Sequence, residues 1–275
     1  MLFDAHTHLN FDEYTEERRK EIADEIASSA VSFVVDAGDC VESTKQAIKD
    51  AEDYEWCFAS AGIHPEHASR TTDADIEEIR KLAAHPKVKA IGEIGLDFYY
   101  GKDNKEDQIE VFRRQIRLAN ELHMPIMIHT RDANQITMDI LKEEGAFSEE
   151  RLSWFPARPD GKGGEAPDAR VQLHCFSGSK ELALEYVKLG ATISLGGPIT
   201  FKNGKKAAEV AAAVPIEFLL SETDAPFLAP EPFRGRENKS PLIEHVVRRM
   251  AVLKGLSYDE TAAKLMENGR RFFDI

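Results

Sequence analysis

The chain has 275 residues, 42% of them hydrophobic and 31% charged, with a mean hydropathy of −0.40, enough for a sizeable buried core, while no apolar run approaches the ~20 residues a membrane helix needs. The 35 basic residues stand against 49 acidic ones and leave a formal charge of −14, so no general basic field attracts nucleic acid, and a polyanionic substrate must be held by local arginine, lysine or metal. Cys40, Cys57 and Cys175 form no C-x-x-C pair and read as free thiols.

The opening MLFDAHTHLN has no charged segment followed by an apolar one, so no secretory leader is read there and the expected location is cytoplasmic. Eight short β-rich runs follow in order: 2–8, 32–38, 57–64, 88–97, 125–130, 171–176, 191–197 and 217–224. Helix candidates separate or follow them at 15–29, 41–53, 73–84, 105–122, 134–144, 179–189, 203–213 and 239–254. In the fourth, Ile109, Phe112, Ile116 and Ala119 recur at three- and four-residue intervals and share a face. Alternating β and α implies parallel strands, and eight such units imply a closed (β/α)8 TIM barrel in one domain spanning 1–275. The competing open doubly wound sheet should carry a glycine-rich turn after its first strand, and THLNFDEY contains no glycine.

One stretch, 147–168, is polar, rich in Gly and Pro, and breaks this rhythm. Because it follows a helix and precedes a strand, it is expected on the barrel's N-terminal face, away from the βα loops that carry chemistry in this fold.

Residues two apart on a strand point the same way, so His6 and His8 project together from the first strand. Neutral imidazole is a common metal ligand. The same reading of other strand ends yields His64, Glu93, Asp97, His129, His174, Glu222 and Asp224, while His67, His85, His123 and His245 fall in loops or helices and are expected at the surface. In a barrel those ends meet at one mouth. Two ions are expected there, one held by His6, His8 and Asp224, the other by His129 and His174, with Glu93 between them. Nitrogen and carboxylate donors suit Zn, Mn or Fe, and carboxylates with open water sites accept Mg.

The segments DAHTHL, GIHP, GEIGLD, PIMIHTRDA, HCFSGS and ETDAPFLAP, with RGRENKSP and ENGRRFF, resemble the successive signatures of the TatD-type metal-dependent deoxyribonucleases of the amidohydrolase-like superfamily. The resemblance covers nearly the whole chain. It implies a TIM barrel and metal-dependent hydrolysis, with His6, His8, Glu93, His129, His174 and Asp224 as ligand positions. Two departures stand out: the 147–168 insertion, and an extra residue before the proline of RGRENKSP.

The expected activity is therefore phosphodiester hydrolysis by a metal-activated water, with single-stranded DNA as substrate, trimmed from an end. The DNA substrate and the end-trimming rest on the resemblance alone. Asp224 is the candidate proton acceptor and Glu93 its catalytic companion, while His64, Arg131 and Arg234 are candidates for gripping phosphate. The same chemistry would serve a hydrolase of small esters or amides, aminoacyl esters included. A metal-binding scaffold without catalysis is the remaining alternative.

Overall fold

Ten strands form along the chain: β1 (Leu2–Thr7), β2 (Val31–Ala37), β3 (Cys57–Ala61), β4 (Val88–Asp97), β5 (Ile126–Arg131), β6 (Arg158–Pro159), β7 (Glu165–Ala166), β8 (Val171–Leu173), β9 (Thr192–Leu195) and β10 (Leu219–Ser221). The computed structural model describes residues 1–275. β6 and β7 pair with one another antiparallel, and the other eight lie parallel in chain order. Between β10 and β1 the seam is held without a regular ladder. Ser221 Oγ donates to the Phe3 carbonyl (3.0 Å), Thr223 N to Asp4 Oδ1 (2.8 Å), Asp224 N to the His6 carbonyl (2.9 Å), and His8 N to the Ala225 carbonyl (2.8 Å). This is a nearly closed (β/α)8 barrel, and its closure uses residues next to the mouth ligand candidates.

The helices are α1 (Glu16–Ala27), α2 (Val41–Asp53), α3 (Asp73–Ala83), α4 (Lys105–Glu121), α5 (Asn134–Glu143), α6 (Glu149–Ser153), α7 (Lys180–Lys188), α8 (Lys205–Ala213), α9 (Ile243–Lys254) and α10 (Tyr258–Phe273). Eight of them lie where the sequence predicts, within a few residues; α6 and α10 were not anticipated. In α4 the buried face is centred on Val111, Phe112, Gln115, Ile116 and Ala119, and Ile109 is only half-buried. The face turns because two glutamines go inward to satisfy strand-end backbone. Gln115 exchanges two hydrogen bonds with Ile63 (2.7 and 2.9 Å), and Gln108 does the same with Asp97 (2.8 and 3.0 Å). Each pair mimics a ladder rung and stops a strand at the mouth.

β8 and β10 are shorter than the runs read from sequence. Soon after each strand ends, a non-glycine residue takes a left-handed conformation, Cys175 at φ 43 and Asp224 at φ 57. Such residues are uncommon, and both flank side chains of the mouth. Gly95, at φ 146, stands where a Cβ would overlap the His129 carbonyl oxygen, so only glycine lets β4 and β5 pass this close.

At the other end, α10 begins with a reciprocal Ser257–Glu260 capping box and packs Phe272 and Phe273 under the barrel. Phe273 stacks on Phe3, ring centroids 5.7 Å apart. The 147–168 stretch contains α6, β6 and β7. Arg151, fully buried, donates to the carbonyls of Ala169 (2.9 Å) and Met124 (2.8 Å) and to Asn120 Oδ1 (2.8 Å). Arg158, equally buried, donates to Thr192 Oγ1 (2.8 Å) and pairs with Asp168 (3.1 Å), which also meets Arg271 of α10 (3.1 Å). Between them the partners of Arg151 and Arg158 sit where β5, β8 and β9 begin. Trp154 stacks on His123, 4.0 Å between centroids.

Candidate metal centre

The barrel mouth gathers side chains from six strand ends around Glu93 of β4, whose two carboxylate oxygens face different neighbours. Oε2 lies 3.5 Å from His6 Nε2 and 3.8 Å from His8 Nε2. Oε1 lies 2.8 Å from His129 Nδ1, 3.6 Å from His174 Nε2 and 3.8 Å from His64 Nε2. Asp224 Oδ1 closes the first group at 3.7 Å from His6 and 3.6 Å from His8, and also stands 3.7 Å from His174 Nε2. His6 and His174 stack at 3.5 Å.

In His8, His174 and His129 the far nitrogen faces a carbonyl or carboxylate oxygen and the other nitrogen turns to the centre, whereas His6 Nδ1 faces the Met127 sulfur at 2.8 Å. His8 Nδ1 meets the Ala37 carbonyl at 3.2 Å, which requires a proton there and makes Nε2 the nitrogen turned to the carboxylates, the one a cation would take in place of a proton. His174 Nδ1 lies 3.1 Å from Glu222 Oε2, and His129 Nε2 lies 3.3 Å from Asp97 Oδ2. The Glu222 carboxylate is fully buried and is itself held by Cys175 N (2.5 Å) and Ser194 Oγ (2.5 Å). Imidazoles backed by a carbonyl or carboxylate on the far nitrogen are the usual arrangement around a bound metal.

His64 is different. Its Nδ1 accepts from Glu66 N (3.3 Å), so in the neutral ring the proton sits on Nε2 and points at Glu93 Oε1. Burial and the neighbouring His129 push its pKa down to about 3, which keeps that ring neutral. His64 therefore offers the mouth a hydrogen-bond donor.

Charge balance follows from the crowding. Burial would raise the Glu93 carboxyl, but His174, His64 and His6 with the His129 bond hold it well below the usual range; Asp224 is lowered against burial by His174 and His8. Burial would lower His8 and His174, yet Asp224 and Glu93 lift the first to about 9, and Glu222, Glu93 and Asp224 lift the second to about 10. A site of ionised carboxylates that draws positive charge onto its imidazoles has the donor set and electrostatics for divalent cations. His6 Nε2 and His8 Nε2 face one another at 3.1 Å, two like nitrogens that a shared proton or a cation would reconcile. The groups His6–His8–Glu93, His64–Glu93–His129 and His6–His174–Glu222 each bring ligand atoms within metal-holding distance.

A family model described as TatD related DNase matches residues 3–274. The chain belongs to this family. The metal-dependent hydrolase YabD of Bacillus subtilis is 40% identical over 275 residues, all of both chains. A protein of Erwinia amylovora named 3'-5' ssDNA/RNA exonuclease TatD is 30% identical over 280 residues, again all of both. The crystal structure of YjjV, a TatD homologue of Escherichia coli, superposes with a TM-score of 0.86 at 26% identity, covering 100% of this chain and 98% of that one. This TatD-family chain is a metal-dependent hydrolase acting on ester bonds.

The remaining sequence candidates lie farther out. Arg131 ends β5 on the rim, exposed, with its guanidinium 4.0 Å from Asp97 Oδ2. Arg234 and Arg236 are exposed in the loop after β10, and Arg234 sits over the Phe201 ring (4.2 Å) and bonds Asn203 Oδ1 (3.0 Å), away from the carboxylates. Of the four histidines expected at the surface, only His123 is exposed. His67 is half-buried against Asp39 and Cys40, because the turn after His64 folds back over the start of α2. Tyr99 and Tyr100 stand on the same rim, and their one signal in the sequence is a pair of aromatics two residues beyond the end of β4.

Proposed function

We propose that the protein hydrolyses phosphodiester bonds of single-stranded DNA, removing nucleotides from an end, with two divalent ions of Mg, Mn or Zn. The observation that carries this reading is Glu93, which divides its oxygens between two imidazole groups, with the far nitrogens of His8, His174 and His129 facing a carbonyl or carboxylate. The names of the Erwinia exonucleases support nucleic acid as the substrate. Three free thiols fit action in a reducing cytoplasm.

His6, His8, Asp224 and Glu93 Oε2 would hold one ion, and His129, His174 and Glu93 Oε1 the other. Such ions supply an acidified water and neutralise charge on the phosphate. Asp224, fully ionised at the mouth, is placed to accept the proton of the attacking water. The His64 Nε2–H and the Arg131 guanidinium donate to phosphate oxygens, and Arg234 extends the grip along the strand. Asp97 and Glu222 hold His129 and His174 in the orientations described above.

Purified protein with Mg or Mn should shorten end-labelled single-stranded DNA, and chelation should stop it. His129→Ala and Glu93→Ala should each reduce the rate to background. Turnover of aminoacyl esters or simple amides with none of DNA would overturn the substrate assignment, and nuclease activity surviving both substitutions would overturn the site.

A further inference from the structure

Seven large hydrophobic side chains are exposed, and four of them stand on the loops leaving β4 and β10: Tyr99, Tyr100, Phe227 and Leu228. Isolated exposed apolar residues need no explanation, but a cluster beside a catalytic mouth does. Tyr99 and Tyr100 are 50% and 75% exposed, their rings edge-on to each other at 4.8 Å. The Arg131 guanidinium lies over both, 5.4 Å from Tyr99 and 5.0 Å from Tyr100, and Lys102 Nζ lies 5.7 Å from Tyr99. Lys105 covers the adjoining Phe98 ring at 4.8 Å.

This patch is rigidly mounted. The backbone N–H groups of Tyr99 and Tyr100 donate to Asp97 Oδ1 at 2.9 and 2.8 Å, while Asp97 Oδ2 faces His129 Nε2 at 3.3 Å. Gln108 clamps the Asp97 backbone from below and reaches the Gly101 carbonyl at 3.1 Å. One carboxylate thus positions a metal-ligand candidate with one oxygen and two exposed aromatic residues with the other. On a chain of charge −14, Arg131, Lys102 and Lys105 stand against these rings, interspersed along the same turn with Asp103, Glu106 and Asp107. Aromatic faces interleaved with cations are what unpaired bases and their phosphates bind.

We propose that Tyr99 and Tyr100 form a base-stacking platform for the unpaired nucleotides next to the scissile bond, with Arg131 and Lys102 pairing the neighbouring phosphates. A duplex hides its base faces inside the stack, so the platform selects single strands. Phe227 flanks the opposite side, edge-on to His8 (6.2 Å) and Phe11 (5.6 Å), and narrows the approach. The inference rests on the nuclease reading and adds to it the means of strand selection.

The test compares binding of a labelled oligothymidylate with that of an otherwise identical oligonucleotide bearing abasic sites near its end, both phosphorothioate-linked to resist cleavage. Anisotropy with the metal-loaded full chain should give a Kd for the base-bearing strand roughly tenfold lower or better, the effect of one base–aromatic stack. In a Tyr99→Ala/Tyr100→Ala double variant that ratio should fall toward one, and Tyr99→Phe/Tyr100→Phe should keep it. A ratio near one in the wild type, or an unaltered ratio in a double-alanine variant with native circular dichroism, overturns the platform. Absence of any cleavage of ordinary oligonucleotides by the wild type would instead overturn the nuclease reading on which it rests.

Discussion

Glu222 illustrates how much of the mouth is set by single buried side chains. It touches no expected substrate position, yet it holds His174 Nδ1 and is locked by Cys175 N and Ser194 Oγ. Glu222→Gln keeps the shape but removes the charge opposite His174, and should weaken metal affinity or activity 10- to 100-fold by analogy with other backing carboxylates. Metal titration followed by mass spectrometry reads this directly, and full affinity in the variant would dismiss the role. A different buried pair governs stability. Burial first, then the mutual charge of Asp36 and Asp50, raises the Asp36 carboxyl well above its ordinary value; Asp50 is raised by burial in spite of Arg19. The unfolded chain ionises these groups above about pH 3.9, so their stabilisation is complete below that pH and is lost as pH rises through the folded values. Asp36→Asn, which cannot ionise and retains an acceptor for Asn10 N (3.1 Å), should be more stable than wild type at pH 8, with the gap closing near pH 4. Urea melts across that range would refute the argument if the variant were the weaker at pH 8.

At the scale of elements, α10 has the clearest wager between two effects. Gly269 lies inside this helix, where alanine would ordinarily gain about 1 kcal/mol. Here its Cβ would come 2.6 Å from Phe3 Cγ, on a ring already stacked against Phe273. Overpacking costs about 1–3 kcal/mol, so Gly269→Ala should lower the melting temperature, and a rise would mean the ring has room to yield. The same element shows why sequence reading stopped short. Its apolar residues fit a surface helix, and only the assembled barrel reveals an open end for Phe272 and Phe273 to fill. Arg151 and Arg158 escaped for the same reason: arginine is seldom buried, and here each is buried because exposed carbonyls at strand beginnings need donors.

For the whole molecule the charge of −14 sets the expected salt response. If Arg131, Lys102 and Arg234 make the main phosphate contacts, three contacts on a single strand give a slope of log binding against log salt of about −2. A slope several times steeper would point to a basic track elsewhere on the surface. No helix is long and apolar enough to cross a membrane.

What the sequence determined by itself was the order and kind of the elements and the set of residues at the strand ends. Those follow from local spacing: alternation, helical periodicity and strand termini survive without knowledge of distant partners. His6, His8, Glu93, His129, His174 and Asp224 could be named because a barrel topology carries every strand end to one mouth. Tertiary structure alone decided which nitrogen of His8, His129 and His174 turns to the centre, that Glu93 splits its two oxygens, that His64 presents a proton, and that Asp97 ties Tyr99 and Tyr100 to the site. These depend on atoms 29 residues apart or more, or on a loop's turn, and no periodicity along a chain encodes where such partners stand in space.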